Sequence, residues 1–215
     1  DSKAGFSRPS SNTLLQVQEK ASLLVEALPY MQRFAGERIV VKFGGHAMKS
    51  PQIQESFARD VTLLRSIGIN VTVVHGGGPQ IGSLLQKMNI ESHFVDGMRV
   101  TNDETMKAVQ MVLMGQVNPM LVQLINAAGG RSIGLSGVDG QLLQAQRLKA
   151  KGTDIGRVGV VSRVDDSELR LLSDAGFIPV VAPIGIDTHN QETLNINADY
   201  AASAIAEHML ARKLV

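Results

Sequence analysis

Between Val71 and Lys87 the chain reads VTVVHGGGPQIGSLLQK: an apolar, β-branched run stops at three consecutive glycines, and an amphipathic pattern follows at once. Val71, Val73 and Val74 suit a buried strand, and Pro79 suits a first helical turn because it has no N–H to lose. Ile81, Leu84, Leu85 and Met88 recur at helical spacing. The stretch therefore predicts strand, glycine turn, helix. Gly76, Gly77 and Gly78 remove every side chain where a ligand would meet the backbone. The N–H groups of the turn and the helix start then point into one small space that favours an anion. A tight connection without a ligand is the other reading, although two glycines would suffice for it.

The same order occurs once before. Arg38 to Gly45, RIVVKFGG, is a buried strand ending in Lys42 and followed by Gly44 and Gly45. An ammonium at the end of an apolar strand either snorkels to solvent or faces a site, because it cannot be left unpaired cheaply. Strands of an α/β sheet present ligands at their carboxyl ends, which favours the site. Ser50 and Pro51 mark a helix start, Ile53, Phe57, Val61 and Leu64 its buried face, and Gly68 its end. The βαβα order predicts an α/β protein, a three-layer αβα sandwich with a mainly parallel central sheet and right-handed crossovers. With 44% hydrophobic residues, 4% aromatic and no tryptophan, its core is expected to be aliphatic.

Lys plus Arg number 21 and Asp plus Glu 20, so no field is available to hold a polyanion, and a nucleic-acid partner is not expected. Cysteine is absent, which excludes disulfides and thiolate metal sites. No apolar run approaches the roughly 20 residues of a membrane span, and no secretory signal is visible, so a soluble protein without a membrane partner is expected.

In chain order, residues 1–12 are small and polar and are expected to be a disordered tail. Residues 13–35 carry a helical period in Leu14, Val17, Ala21, Leu24, Val25 and Leu28, with Pro29 expected to kink or interrupt it. This helix either folds back on its own sheet or is offered to another subunit. His93 to Val100 reads as a hairpin about Asp96-Gly97, with Arg99 on the return strand. Arg99 is either a solvated edge residue or a bidentate carboxylate clamp. Thr101 and Glu104 form a capping-box pattern, and a long helical region with a break near Gly115 follows. GLSGVDG reads as a turn after a short strand. Leu142 to Ala145 and Gly159 to Val164 read as short strands around the polar segment Arg147 to Gly156. Asp166 to Ala175 reads as helix, Phe177 to Ala182 as buried strand, and Asp187 to Thr193 as polar loop. In LNINAD, Asn195 and Asn197 alternate on an extended segment and Asp199 opens a helix. Capping and the helix dipole account for Asn197 and Asp199 without any function, but not for Asn195. Lys213 to Val215 look like the start of another buried strand.

The P-loop spacing, the protein-kinase signatures and any His or Cys metal cluster are absent. What remains is a lysine, two glycine turns, an arginine and an Asn/Asp group. Such a set suits phosphoryl transfer, where the protein positions reactants and neutralises developing charge. It suits a carboxylate acceptor best, since a carboxylate with pKa near ~4 needs no general base. A passive anion-binding site is the other reading.

With these motifs in view, VVKFGG, VVHGGGPQI, DGMRVT, MVLMGQVN and LNINAD, the chain from about Val25 to Val215 resembles the N-acetyl-L-glutamate kinases of arginine biosynthesis, within the amino-acid kinase (carbamate-kinase-like) fold. The resemblance implies that Lys42 stabilises the transferring phosphoryl group and contacts the nucleotide. It implies that Gly44, Gly45, Gly77 and Gly78 hold carboxylate and phosphate oxygens, and that Asp199 orients the catalytic lysine. It further implies that Arg99 and Asn195, with Asn197 beside them, bind the acceptor. The implied substrates are N-acetyl-L-glutamate and ATP, with Mg2+ held by the nucleotide phosphates rather than by the protein. The helix before VVKFGG resembles that of arginine-inhibited members, which form homohexamers through it. L-arginine is thus an implied inhibitor, and a PII signalling protein an implied partner in a photosynthetic source. Cytoplasm and plastid stroma both fit.

On this likeness residues 13–35 are an oligomerisation helix and 36–215 the acceptor-binding lobe, with the family continuing past the position of Val215 into the nucleotide lobe. The chain by itself is then expected to bind acetylglutamate poorly. The alternatives are a non-catalytic binding module, or a kinase of the same fold acting on aspartate, glutamate, carbamate or UMP.

Overall fold

The computed structural model describes residues 11–150 and 152–215. The tail expected over residues 1–12 lies outside them as far as residue 10, and Ser11 and Asn12 belong to the first helix, α1 (Ser11–Phe34). This helix forms a unit of its own with the residues up to Ala35, and Gly36–Val215 forms the second. Helical geometry continues through Pro29, contrary to the interruption expected there. Proline removes the N–H that would meet the Val25 carbonyl, and at an exposed Val25 water can take that bond.

The second unit is built on five parallel strands in the order β11 (Lys213–Leu214), β1 (Arg38–Phe43), β2 (Asn70–His75), β8 (Ile178–Ala182), β5 (Ser132–Ser136). Every residue of β8 is buried, as expected of a central strand covered on both faces. Alternation along the strands decides what each face meets. Val40, Val74, Leu135 and Val181 pack with α6 (Ser167–Asp174) and α7 (Ala198–His208), through Leu169, Ala201, Ala202 and Ile205. The opposite face carries α2 (Pro51–Ser66) and a continuous helical run made of α4 (Asp103–Val112), a π-helical turn (Leu113–Val117) and α5 (Asn118–Ala127). The result is the expected three-layer sandwich.

Strand and cap chemistry explain much of this locally. Ser50 caps α2 by accepting the Ile53 N–H at 3.4 Å, and Gly68, at φ +89°, follows its end. Of the face expected to be buried, Val61 is buried, Phe57 and Leu64 are half-buried and Ile53 is exposed, with Ala58 buried beside Val61. The helical run Asp103–Ala127 is long and apolar enough by length and composition to cross a bilayer, against the expectation that no stretch would be. Its Met106, Val109, Val112, Leu113, Leu121 and Ile125 are buried in the domain core.

Two strand expectations change. The two short strands expected around the polar segment Arg147 to Gly156 are longer and take in most of that segment: β6 (Leu143–Ala150) and β7 (Thr153–Val164) form a long antiparallel hairpin. With β9 (Ile184–Asp187) and β10 (Glu192–Ile196) they close into a four-stranded barrel. The polar segment did not read as strand because a barrel strand needs only one apolar face. At the edge of the parallel sheet, Lys213 and Leu214 form a strand as expected, paired with β1, but Lys213, Leu214 and Val215 are exposed rather than buried.

Candidate active site

At the carboxyl end of β1, Lys42 lies on the same face as Val40, two residues earlier, which is the face packed by α7. Its ammonium therefore meets the first turn of that helix, where Asp199 Oδ1 stands 3.0 Å from Lys42 Nζ. The Lys42 side chain is 28% exposed and that of Asp199 67%, so the pair faces an open space. Gly45, at φ +65°, takes a conformation that favours glycine.

One strand over, β2 ends at His75 and delivers Gly76, Gly77 and Gly78 beside that lysine. α3 (Gly78–Lys87) starts with Pro79 in its first turn, so the N–H groups there have no carbonyl one turn earlier to bond. Gly77 is closely packed: a Cβ would lie 2.5 Å from Leu113 Cδ2, so that side chain would have to move. A Cβ on Gly78 would meet nothing within 4 Å.

The third wall is the hairpin β3 (Phe94–Val95) and β4 (Met98–Arg99), turned by Asp96 at φ +49° and Gly97 at φ +77°. That is the two-residue turn the Asp-Gly pair predicts. Arg99 is 9% exposed, so it is not a solvated edge residue. Its guanidinium donates to the Ser92 hydroxyl and to the Gly78 carbonyl (3.1 Å), and lies 4.6 Å from the centre of the Phe94 ring. Among the described residues no carboxylate lies within ion-pair distance of it. Burial pushes its pKa down from the usual value, yet a guanidinium stays protonated at neutral pH.

Strand β10 brings the last side. Leu194 and Ile196 point into the core, and the alternate residues Asn195 and Asn197 line the cavity. Asn195 donates to Thr101 Oγ1 at 3.2 Å. The Asn197 side-chain oxygen accepts the N–H groups of Asp199 (2.8 Å) and Tyr200 (3.3 Å), which makes it the cap of α7.

The cavity so enclosed measures about 230 Å³. That is below the roughly 300–1,000 Å³ of drug-sized sites and suits a small ligand. Lys42, Gly45, Gly77, Gly78, Arg99, Asn195, Asn197 and Asp199 all line it. Gly44 does not; it sits behind Lys42, where a Cβ would come 3.2 Å from Nζ. Among the described residues no group of three metal-ligating side chains occurs. Asp199 is the only carboxylate in the lining and is already paired.

Two residues escaped the sequence reading. Thr101 was assigned to a capping box, but Asn102 caps α4 through its bond from the Thr105 N–H at 2.8 Å. Thr101, fully buried, instead donates to the Arg99 carbonyl at 2.7 Å and receives Asn195. Leu113 reaches Gly77 from the π-helical turn, in the region read as a helix break. Such turns frequently occur at functional sites, and the glycine within MVLMGQV was the available signal.

A lysine–aspartate pair, glycine N–H groups at a helix start and a buried arginine thus surround one small cavity at the carboxyl end of a parallel sheet, a setting whose chemistry suits an anion. Residues 37–215 match the Amino acid kinase family, and the chain belongs to it. Within that family it is 51% identical over 205 residues to the acetylglutamate kinase of Stutzerimonas stutzeri, covering 91% of this chain and 68% of that one. It is 49% identical over 206 residues to the acetylglutamate kinase of Acinetobacter baumannii, covering 92% and 68%. Among solved structures it is similar to N-acetylglutamate synthase from Neisseria gonorrhoeae, complexed with coenzyme A and N-acetyl-glutamate, at 25% identity and a TM-score of 0.78. That match covers 90% of this chain and 44% of the synthase, so this chain spans less than half of it.

Proposed function

We propose that this chain supplies the acceptor site of an acetylglutamate kinase, in which ATP phosphorylates the side-chain carboxylate of N-acetyl-L-glutamate to give N-acetyl-L-glutamyl 5-phosphate. The observation that carries this reading is Arg99, a buried cation without a carboxylate partner among the described residues, lining a cavity of small-metabolite size. A buried charge left so is costly, and an acceptor carboxylate would supply its missing counter-ion. Asn195, held by Thr101, stands on the same wall.

Lys42 would meet the charge that develops on the transferring phosphoryl group, with Asp199 setting the direction of its ammonium. The N–H groups of Gly45, Gly77 and Gly78 would receive oxygens of the reacting carboxylate and phosphate, and Gly44 would act by keeping the space behind Lys42 clear. Carboxylate oxygen attacks phosphorus, the bond from phosphorus to the bridging oxygen of ATP breaks, and ADP leaves. No proton moves, which suits a cavity with no free base. Magnesium would enter on the nucleotide phosphates. The donor set agrees, because the lining offers no carboxylate beyond the paired Asp199.

The test is a phosphoryl-transfer assay, run on the kinase that carries this acceptor site, with ATP against N-acetyl-L-glutamate, glutamate, aspartate, carbamate and UMP. Turnover is expected with the acetylated acceptor alone, and equal turnover with free glutamate would remove the acetyl-specific reading. For α1, the exposed Leu23, Leu24, Val25 and Leu28 support the reading that this helix joins copies of the chain, up to a hexamer. Gel filtration with and without residues 1–35 is expected to show a smaller species for the shortened chain; identical elution would refute the role.

A further inference from the structure

His75 ends β2 on the face opposite Lys42, because alternation along the strand puts Val71, Val73 and His75 toward the layer of α2 and α5 and Val74 toward α7. It is fully buried. Its Nδ1 lies 2.9 Å from the carbonyl oxygen of Gly76, and its Nε2 lies 3.1 Å from Asn118 Nδ2, at the start of α5. Both contacts have a fixed direction. A carbonyl oxygen can only accept, so Nδ1 carries the proton. The Asn118 NH2 also donates to the Val180 carbonyl at 2.8 Å, which fixes which end of the amide faces the ring, so Nε2 accepts. One neutral tautomer satisfies the set. Burial also pushes the imidazole pKa down to about 4, against the opposing pull of the Gly76 carbonyl.

The Gly76 carbonyl and the Gly77 N–H are opposite ends of one planar trans peptide. Whatever fixes the direction of the first fixes that of the second. Leu113 and Val117 hold the same turn by packing where a Gly77 side chain would be, but apolar contact sets position, not the rotation of a peptide plane. We propose that His75, set in its tautomer by Asn118, is a positioning residue that aims the Gly77 N–H into the cavity at an oxygen of the bound anion. The role of that anion as acceptor carboxylate or phosphate rests on the function proposed above. The aiming itself does not.

Two isosteric substitutions separate the halves of the ring. Asparagine places an NH2 where Nδ1 stands, and glutamine places its amide near Nε2. His75→Asn keeps the donor to Gly76, and His75→Gln keeps only the partner of Asn118. Both lose the same ring packing, so melting temperatures are expected to fall together. Turnover or acceptor affinity is expected to stay within about threefold of wild type in His75→Asn, relative to its stability, and to fall at least about tenfold further in His75→Gln, the size of one lost buried hydrogen bond. Equal losses in the two variants would make the ring structural only.

Nitrogen-15 NMR of the ring in the unsubstituted chain gives a readout independent of any substrate. Nδ1 is expected to carry the proton from pH 5 to pH 9, and a proton on Nε2 would overturn the proposal. If the kinase that carries the unsubstituted acceptor lobe shows no activity with N-acetyl-L-glutamate, the functional reading fails by itself. The amide resonance of Gly77 then decides the aiming: unmoved in His75→Asn and shifted in His75→Gln upholds it, and shifted alike in both refutes it.

Discussion

Lys42→Ala is expected to lower the turnover of phosphoryl transfer by about a hundredfold to a thousandfold, as removal of one preorganised charge stabiliser does, with acceptor affinity changed only a few fold. The reason lies in where the ammonium stands. It is at the end of β1, 3.0 Å from Asp199, and does not touch Arg99 or Asn195, which form the wall assigned to the acceptor. A residue that acts only on charge developing in the transition state lowers kcat and kcat/KM alike and leaves ground-state binding in place. The side chain is part-exposed and its partner more so, so the fold should not depend on the pair. The melting temperature is expected to stay unchanged. Steady-state kinetics with isothermal titration of the acceptor measure both quantities. A loss confined to acceptor affinity would assign Lys42 to binding and end its proposed part in catalysis.

Arg99→Ala is expected to do the reverse, weakening acceptor affinity by about thirtyfold or more, since truncating one member of a buried, hydrogen-bonded charge pair costs 2–5 kcal/mol or so. Turnover at saturating acceptor should change much less. The accompanying stability change distinguishes a ligand-binding arginine from a structural one. In the free protein the guanidinium is buried with a hydroxyl, a carbonyl and the Phe94 ring, but with no carboxylate among the described residues. Desolvation without a counter-ion is unfavourable, so the alanine variant is expected to melt no lower than wild type. Arg99→Lys should fail to restore affinity, because a point charge cannot pair with both carboxylate oxygens. A fall of many degrees in the melting temperature, with acceptor affinity retained, would show that Arg99 holds the hairpin rather than the ligand.

The parts legible in advance were those written in short-range backbone chemistry. Three glycines and a proline after Val74 can hardly be anything but a strand-to-helix turn. Asp96-Gly97 forms the two-residue hairpin turn it predicts, and Ser50 caps α2. Lys42, Arg99, Asn195 and Asp199 could be picked out because each is a polar or charged residue at the end or on the alternate face of an apolar pattern. The misreadings come from places where two local solutions were equally good. Thr101 and Asn102 are both cap residues, and only the bonds of Thr101 to Asn195 and to the Arg99 carbonyl decide that Asn102 takes the cap. The hairpin of β6 and β7 was only partly legible because its buried residues, Leu143, Ala145, Ile155, Val158 and Val164, are separated by exposed or half-buried ones rather than gathered in one run.

By itself, then, the order of residues determined the strand ends, the glycine turns and the type of chemistry they can support, since those depend on φ, N–H geometry and side-chain type within a few positions. Only the tertiary structure decided that Arg99 is buried without a counter-ion among the described residues, that Lys42 and Asp199 stand 3.0 Å apart as an ion pair, and that His75 turns its ring to Asn118. Burial and pairing are set by what packs against a residue from distant segments, and a charge or an imidazole changes meaning entirely according to which of two faces of a strand it occupies.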